Sequence, residues 1–276
     1  MIRLLTDEDK VTVEAYLERH AVETVLLASN VRRYGIENDR LSRRSGDYYG
    51  YFAGSQLRGI LALYNLGSVV PHFDEPAAVQ DFAGIMAARR FQVMAGMKQV
   101  VEPLDHALYP HKLAQVYEDS YCLINQDSSK PAAAERPYRV VEAADLDRSM
   151  ALGFIVEAYR LGFQRRFNRE LAAKLLDDRG SEEDFVFLVA DGEPQAQAMI
   201  QAVTDRVTQI AGVYTNERSR CQGYCKEVVA ELCRRSRVYG KTPTLMVRKD
   251  NLPAIRAYRD IGFTYYGDYL VIKYIV

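Results

Sequence analysis

Hydrophobic positions recur along this chain with two periods. Alternation at every second residue, the mark of half-buried strands, runs through GYFAGSQLRGILAL at residues 50–63 and FLVADGEPQAQAMI at 187–200. Each stretch turns about a short Gly-containing segment, so each predicts a β-hairpin. A helical stripe follows in Cys225, Val228, Val229, Leu232 and Cys233, spaced i, i+3, i+4, i+7 and i+8 and ending at Gly240. The pattern also repeats. The opening IRLLTDEDKVTVEAYL has the plan of YRVVEAADLDRSMALGFIVEAY at 138–159: strand, acidic turn, amphipathic helix. Between the copies, Gln126–Pro137 (QDSSKPAAAERP) interrupts the apolar patterning as a linker would. Two domains are expected, 1–125 and 138–276.

In the second half, a strand at Tyr138–Val141 precedes a helix from about Asp145 to Tyr159 and another from Arg169 to Asp178. Strands Phe185–Ala190, Ala196–Val203 and Val207–Val213 form an antiparallel meander, the last two joined at Thr204-Asp205. After the striped helix, Thr244–Val247 reads as a strand parallel to the third of these. Asn251 caps a last helix with Pro253 in its first turn. Gly262 ends it before two strands, Phe263–Tyr266 and Tyr269–Ile275.

Composition narrows the classes. With 48% hydrophobic and 26% charged residues the chain can bury a core. A net charge of -1, from 36 basic and 37 acidic residues, gives no global attraction to nucleic acid or to an anionic membrane. No run approaches the roughly 20 apolar residues of a membrane span. The opening carries Asp7, Glu8 and Asp9 where a signal peptide needs an apolar stretch, so a cytoplasmic protein is expected. Cys122, Cys221, Cys225 and Cys233 form no CxxC pair, and they read as reduced thiols rather than zinc ligands or disulfides; no metal is expected. The four histidines, His20, His72, His106 and His111, all fall in the first half, which argues against hydrolase-type nucleophilic catalysis in the second.

The most informative stretch is Ile210–Lys226, IAGVYTNERSRCQGYCK, where a strand leads through a polar loop into a helix with Gly223 at its start. Free amides and the positive end of the helix dipole suit a pyrophosphate there, and glycine permits close backbone approach. Arg220 and Lys226 add positive charge. Taken alone, such a glycine is also an ordinary turn residue.

The segment Arg220-Cys221-Gln222-Gly223-Tyr224-Cys225 resembles the coenzyme A signature of the GNAT acetyltransferase superfamily: Arg or Gln, two residues, Gly, one residue, Gly or Ala. Cys225 departs from it, where a small residue normally allows close approach. The preceding AGVYT is similar to the superfamily's fourth strand, and NLPAIRAYRDIGF (251–263) to its later helix. The resemblance implies an α+β fold of two tandem GNAT-like domains, each a mixed, mostly antiparallel sheet flanked by helices. It implies acetyl-CoA as donor, held by Val213, Tyr214, Thr215, Arg220, Cys221, Gln222, Gly223, Tyr224, Cys225, Lys226 and Asn251. By the same resemblance a backbone amide near Val213 polarises the thioester carbonyl, and Tyr258 protonates the leaving thiolate. By spacing alone, Tyr258 shares an apolar helix face with Ala254, Ile255 and Ile261 and reads as a packing residue, and Asn251 as a helix cap.

The acceptor side is less readable. Gln209 stands near the place of the superfamily's strand carboxylate and cannot act as a base. Glu157, Glu170 and the chain terminus are the remaining candidates, and no base is assigned. Arg165-Arg166 and Arg234-Arg235 read as surface charge. The expected activity is direct acetyl transfer to an amine of a small molecule or peptide, without a covalent enzyme intermediate. The alternatives are a non-catalytic acyl-CoA-binding module and a transferase of longer acyl or aminoacyl groups. A homodimer is compatible with this reading. In the first half, PHFDEPAAV (71–79) stands where the phosphate loop would be, so no coenzyme A site is expected there.

Overall fold

The computed structural model describes residues 1–126, 137–180 and 182–275, so the expected linker lies, apart from its end residues, outside them. The chain forms two compact units. One comprises residues 1–122, 246–250 and 266–276, the other 123–245 and 251–265. The expected boundary is therefore crossed by the chain end, which groups with the first unit.

The first unit runs β1 (Ile2–Leu4), α1 (Lys10–Arg19), α2 (Val25–Tyr34), β2 (Gly46–Ala53), β3 (Gln56–Tyr64), β4 (Ser68–Phe73), α3 (Ala78–Ala87), β5 (Val93–Met97), α4 (Lys98–Leu108) and most of β6 (Ala114–Ile124). Strands β1 to β4 are antiparallel neighbours and β4 pairs parallel with β5. Leu61 points into one hydrophobic cluster with α3 and α4, while Ile60 and Ala62 point into the other with α1 and α2. That is the period-two alternation of a sheet covered on both faces. β4 extends to Phe73, so Pro71 and His72 belong to the strand rather than to a loop; α3 then starts at Ala78 with no glycine before it.

The second repeat follows the same order: β7 (Tyr138–Glu142), α5 (Arg148–Glu157), α6 (Arg169–Asp177), β8 (Phe185–Ala190), β9 (Glu193–Val203), β10 (Val207–Thr215), α7 (Tyr224–Val238), β11 (Thr242–Arg248), α8 (Leu252–Asp260) and β12 (Thr264–Tyr274), with the end of β11 and most of β12 grouping with the first unit. Again the first four strands are antiparallel and the fifth parallel to the fourth. Both hairpins turn at glycines with positive φ, Gly54 at 61° and Gly192 at 81°.

Two local expectations change. The helix foreseen over Asp145–Tyr159 starts three residues later, because Asp147 rather than Asp145 caps it by accepting from the Met150 amide at 3.0 Å, and Ala158–Gly162 winds into one π turn. The two final strands are one. Gly267-Asp268 does not break β12, whose residues Tyr269–Lys273 pair antiparallel with Met97–Val93 of β5. In return, Asn125, just after β6, donates its amide to Pro243 O in β11. The C-terminal part of β12 thus groups with the first unit, and the end of β6 with Asn125 groups with the second.

Candidate functional site

β10 and β11 pair only from Val207–Thr242 to Ile210–Leu245, while β10 continues to Thr215. Just beyond, β10 bulges against β9, its register shifting between Ala211 and Tyr214. The bulge sits at Gly212, with φ 63°, where an added Cβ would lie 3.1 Å from the Met199 methyl. The carbonyl of Gly212 accepts from Gln197 Nε2 at 3.2 Å. Val213 thus lies at a bend where the strand leaves its neighbours' register.

Past the bulge, Tyr214 is buried with Phe154 on α5, and its ring fills the space where Gly162 has no side chain. Its hydroxyl donates to Glu157 Oε1 at 3.0 Å, and Asn216 Nδ2 donates to the same oxygen at 2.8 Å. Burial first, then the Glu157 carboxylate, push the Tyr214 phenol up to about 12. Thus the Tyr214 side chain braces Glu157. Glu157 lines a cavity of about 330 Å³ with Phe154, Glu193, Pro194, Gln195 and Asn216. Glu170 is exposed at the start of α6, and Gln209 is buried with its Oε1 unpartnered.

The loop into α7 begins at Thr215, whose buried Oγ1 has no partner among the described residues. Asn216 Oδ1 caps a short turn over Glu217–Ser219. Cys221 and Gly223 then take positive φ, 64° and 82°. This double reversal turns the chain so that α7 starts at Tyr224, and among the described residues the first helical amide with a backbone acceptor is that of Lys226, to Gly223 O at 2.9 Å. The amides of Tyr224 and Cys225 before it have no backbone acceptor among the described residues, as an anion site requires. Arg220 and Lys226 reach exposed carboxylates, Glu217 and Asp260, both at 3.3 Å. Such pairs are weak in water and an anion can displace them. Cys221 and Gln222 are exposed, and the Tyr224 ring packs edge-on against Tyr138 at 5.3 Å, leaving only its backbone at the loop.

α8 completes the site. Asn251 Oδ1 caps it through the Ala254 amide at 3.3 Å. Tyr258 is 6% exposed, and its hydroxyl makes no hydrogen bond among the described residues. Burial, and secondarily the nearby Cys225, raise that phenol well above its ordinary value; burial likewise pushes the Cys225 thiol up to about 11. Both groups therefore carry their protons at neutral pH.

The Acetyltransferase (GNAT) family model matches residues 152–263, which include the site residues above apart from Tyr138, the packing partner of Tyr224. Residues 152–263 are a GNAT domain. Among solved structures, a GNAT acetyltransferase from Colwellia psychrerythraea aligns over 100% of both chains with TM-score 0.57 and 11% identity. A GCN5-related N-acetyltransferase from Kribbella flavida aligns over 93% of this chain and 95% of its own, with TM-score 0.60 and 19% identity. A tandem GNAT protein from the clavulanic acid biosynthesis pathway covers 99% and 97%, with TM-score 0.59 and 12% identity. At such identities the likeness is one of fold. No curated protein matches the sequence. Within the GNAT domain, sequence reasoning missed Gly212, Gly162 and the joint bracing of Glu157 by Tyr214 and Asn216; only Gly212 carried a signal, as a glycine inside a strand pattern.

Proposed function

We infer that the protein transfers an acyl group, acetyl first among them, from acyl-coenzyme A to an amine of a small molecule or peptide. The observation that carries this reading is the start of α7, where Gly223 exposes a row of unpaired amides on the same helix as Cys225, which neighbours the Tyr258 phenol. These residues fit coenzyme A. A Cβ at Gly223 would stand in the cradle, the amides of Gln222–Cys225 suit a pyrophosphate, and the Thr215 hydroxyl, without a partner among the described residues, offers a further polar contact. Cys225 is the one departure, and it narrows the cradle by a single sulfur.

When bound, the donor supplies an activated acyl thioester. The chain's part is positional and electrostatic. The Val213 amide, at the bulge, is the group we assign to the acyl carbonyl, and Tyr258 holds a proton for the departing sulfur. Glu157, in the cavity beside α5, offers negative charge for an ammonium acceptor. The ammonium first gives one proton to solvent; attack of the resulting amine on the thioester carbonyl then forms the amide bond and breaks the carbon–sulfur bond, and the thiol leaves with a second proton of the amine. Two readings compete. The buried Gln209 amide, in place of a strand carboxylate, favours a non-catalytic acyl-CoA sensor.

Titration calorimetry with acetyl-CoA and thiol release across a panel of amines test these readings together. We expect one acetyl-CoA bound per chain and thiol release that depends on the amine. Binding without release by any amine would leave the sensor, and no binding would end both.

A further inference from the structure

All four histidines lie in the first unit, and two of them meet there with a carboxylate. His20 closes the C-terminal end of α1, Glu23 lies in the turn before α2, and His72 stands on β4. One ligand atom from each falls within 4.8 Å of the others, and the two imidazole centroids are 4.6 Å apart. His72 Nε2 faces Glu23 Oε2 at 2.6 Å.

Outer partners orient this group. The Tyr16 hydroxyl, fully buried, sits 2.7 Å from His72 Nδ1 and fixes the ring with Nε2 turned toward Glu23. Tyr266 donates to Glu23 Oε1 at 3.3 Å, which leaves Oε2 for the histidine side. Asp74 Oδ2 lies 3.3 Å from His20 Nε2 and is itself tied by its other oxygen to Arg58 Nε at 3.0 Å. Such support of ligand imidazoles by hydroxyl and carboxylate neighbours is what metal sites use to fix ring orientation.

We propose that His20, Glu23 and His72 form a binding site for a divalent first-row transition ion, with zinc as its probe. Two imidazoles and one carboxylate are a donor set that suits zinc and excludes magnesium and calcium, which prefer all-oxygen cages. The His72 side chain is 3% exposed and those of His20 and Glu23 are 23% and 19%, so the site is sheltered yet reachable, with water or Asp74 completing the coordination. Without an ion, the same groups close a hydrogen-bond chain from Tyr16 through His72 to Glu23. Zinc takes Nε2 of the neutral His72 ring, whose proton then sits on Nδ1 with the Tyr16 oxygen as its acceptor, while the Tyr16 hydroxyl can donate to Arg58 O. The ion would clip the α1–α2 turn to β4 in the unit that lacks a glycine loop. The inference is independent of acyl transfer.

The test is zinc binding by the full chain, read by competition with a chromogenic chelator and by the visible absorption of cobalt(II) as a stand-in. The parent chain should bind one zinc at this site, and its melting temperature should rise with zinc and not with magnesium. Glu23→Gln and His20→Asn should each weaken that binding by at least about tenfold, with the folded circular-dichroism spectrum retained. His72→Asn is the less safe variant because the ring is buried, and the conclusion does not depend on it. A parent chain that takes up no zinc at micromolar ion, or variants that bind as the parent does, would overturn the site.

Discussion

The Tyr214 phenol and the Glu157 carboxylate are joined at 3.0 Å, with Asn216 on the same oxygen. This ties the end of β10 to the end of α5 and fixes a negative charge in the cavity. Glu157→Gln keeps an oxygen for both donors and removes only the charge. We expect KM for the amine to rise by at least about tenfold, the loss of one charge-assisted contact, while acetyl-CoA affinity holds. An unchanged KM would remove Glu157 from the acceptor side.

Gly162→Ala probes the same contact from behind. The new Cβ would meet Tyr214 Cδ2 at 2.5 Å, and backbone and ring must separate. The expected cost is about 1–3 kcal/mol in chemical denaturation. Stability equal to the parent's would mean that the π turn shifts freely and does not hold the ring.

Tyr258→Phe should lower kcat by at least about tenfold with little change in acetyl-CoA affinity, since general acids contribute roughly 10²- to 10⁴-fold. The buried phenol, raised by desolvation, stays protonated throughout the working range. If turnover at saturating donor stays within about twofold, with chemistry rate-limiting, the hydroxyl serves packing alone.

Gly223→Glu places a carboxylate in the cradle but also strains a φ of 82°. Gly192→Glu is the matched control, with φ 81° and open space around it in a hairpin of the same unit. Both should lose similar stability, and only Gly223→Glu should lose acetyl-CoA binding in calorimetry. Equal affinities would refute the loop as the pyrophosphate site.

The Arg3 guanidinium, 2.6 Å away, holds the Asp9 carboxyl below its ordinary value against the opposing effect of burial. Because the folded value is the lower one, this stability is fully present above the unfolded value of about 3.9 and is lost as pH falls through the folded value. With Arg3 largely in solvent, Asp9→Asn should cost about 1 kcal/mol at pH 7. The difference from the parent should vanish in urea titrations at pH values below Asp9's folded pKa. A gap that persists in acid would assign it to the Thr6 amide contact, which Asn can partly keep.

Local features were legible. The stripe from Cys225 to Cys233, the Asn251 cap and the turns or helix start at glycines 54, 192 and 223 each declare themselves within a few residues, and the structure has each of these local features. Features set by distant partners were not. Gly267-Asp268 has turn composition, but Tyr269–Lys273 are committed to β5, far away in sequence, and the ladder overrides the dipeptide. Pro71 reads as a breaker, yet Leu61 opposite it holds β4 straight through to Phe73. Glu157 looked like any charge on an amphipathic helix, because the residues that brace it, Tyr214 and Asn216, arrive 57 and 59 positions later. The His20–His72 pairing was hidden for the same reason.

Translation gives the crossed strands a consequence in time. β5 lies between β4 and the C-terminal part of β12, so the first unit's sheet has an open edge until β12 is made. At about 5–20 residues per second, the roughly 150 residues after β6 keep the nascent chain waiting on the order of ten to thirty seconds with that edge bare. During that interval Val93–Met97 is a row of unpaired amides and carbonyls beside an apolar face, the situation in which strands join the wrong neighbour. A ribosome stalled before β12, or a message truncated there, would leave a first unit nearly complete in length and still unable to close.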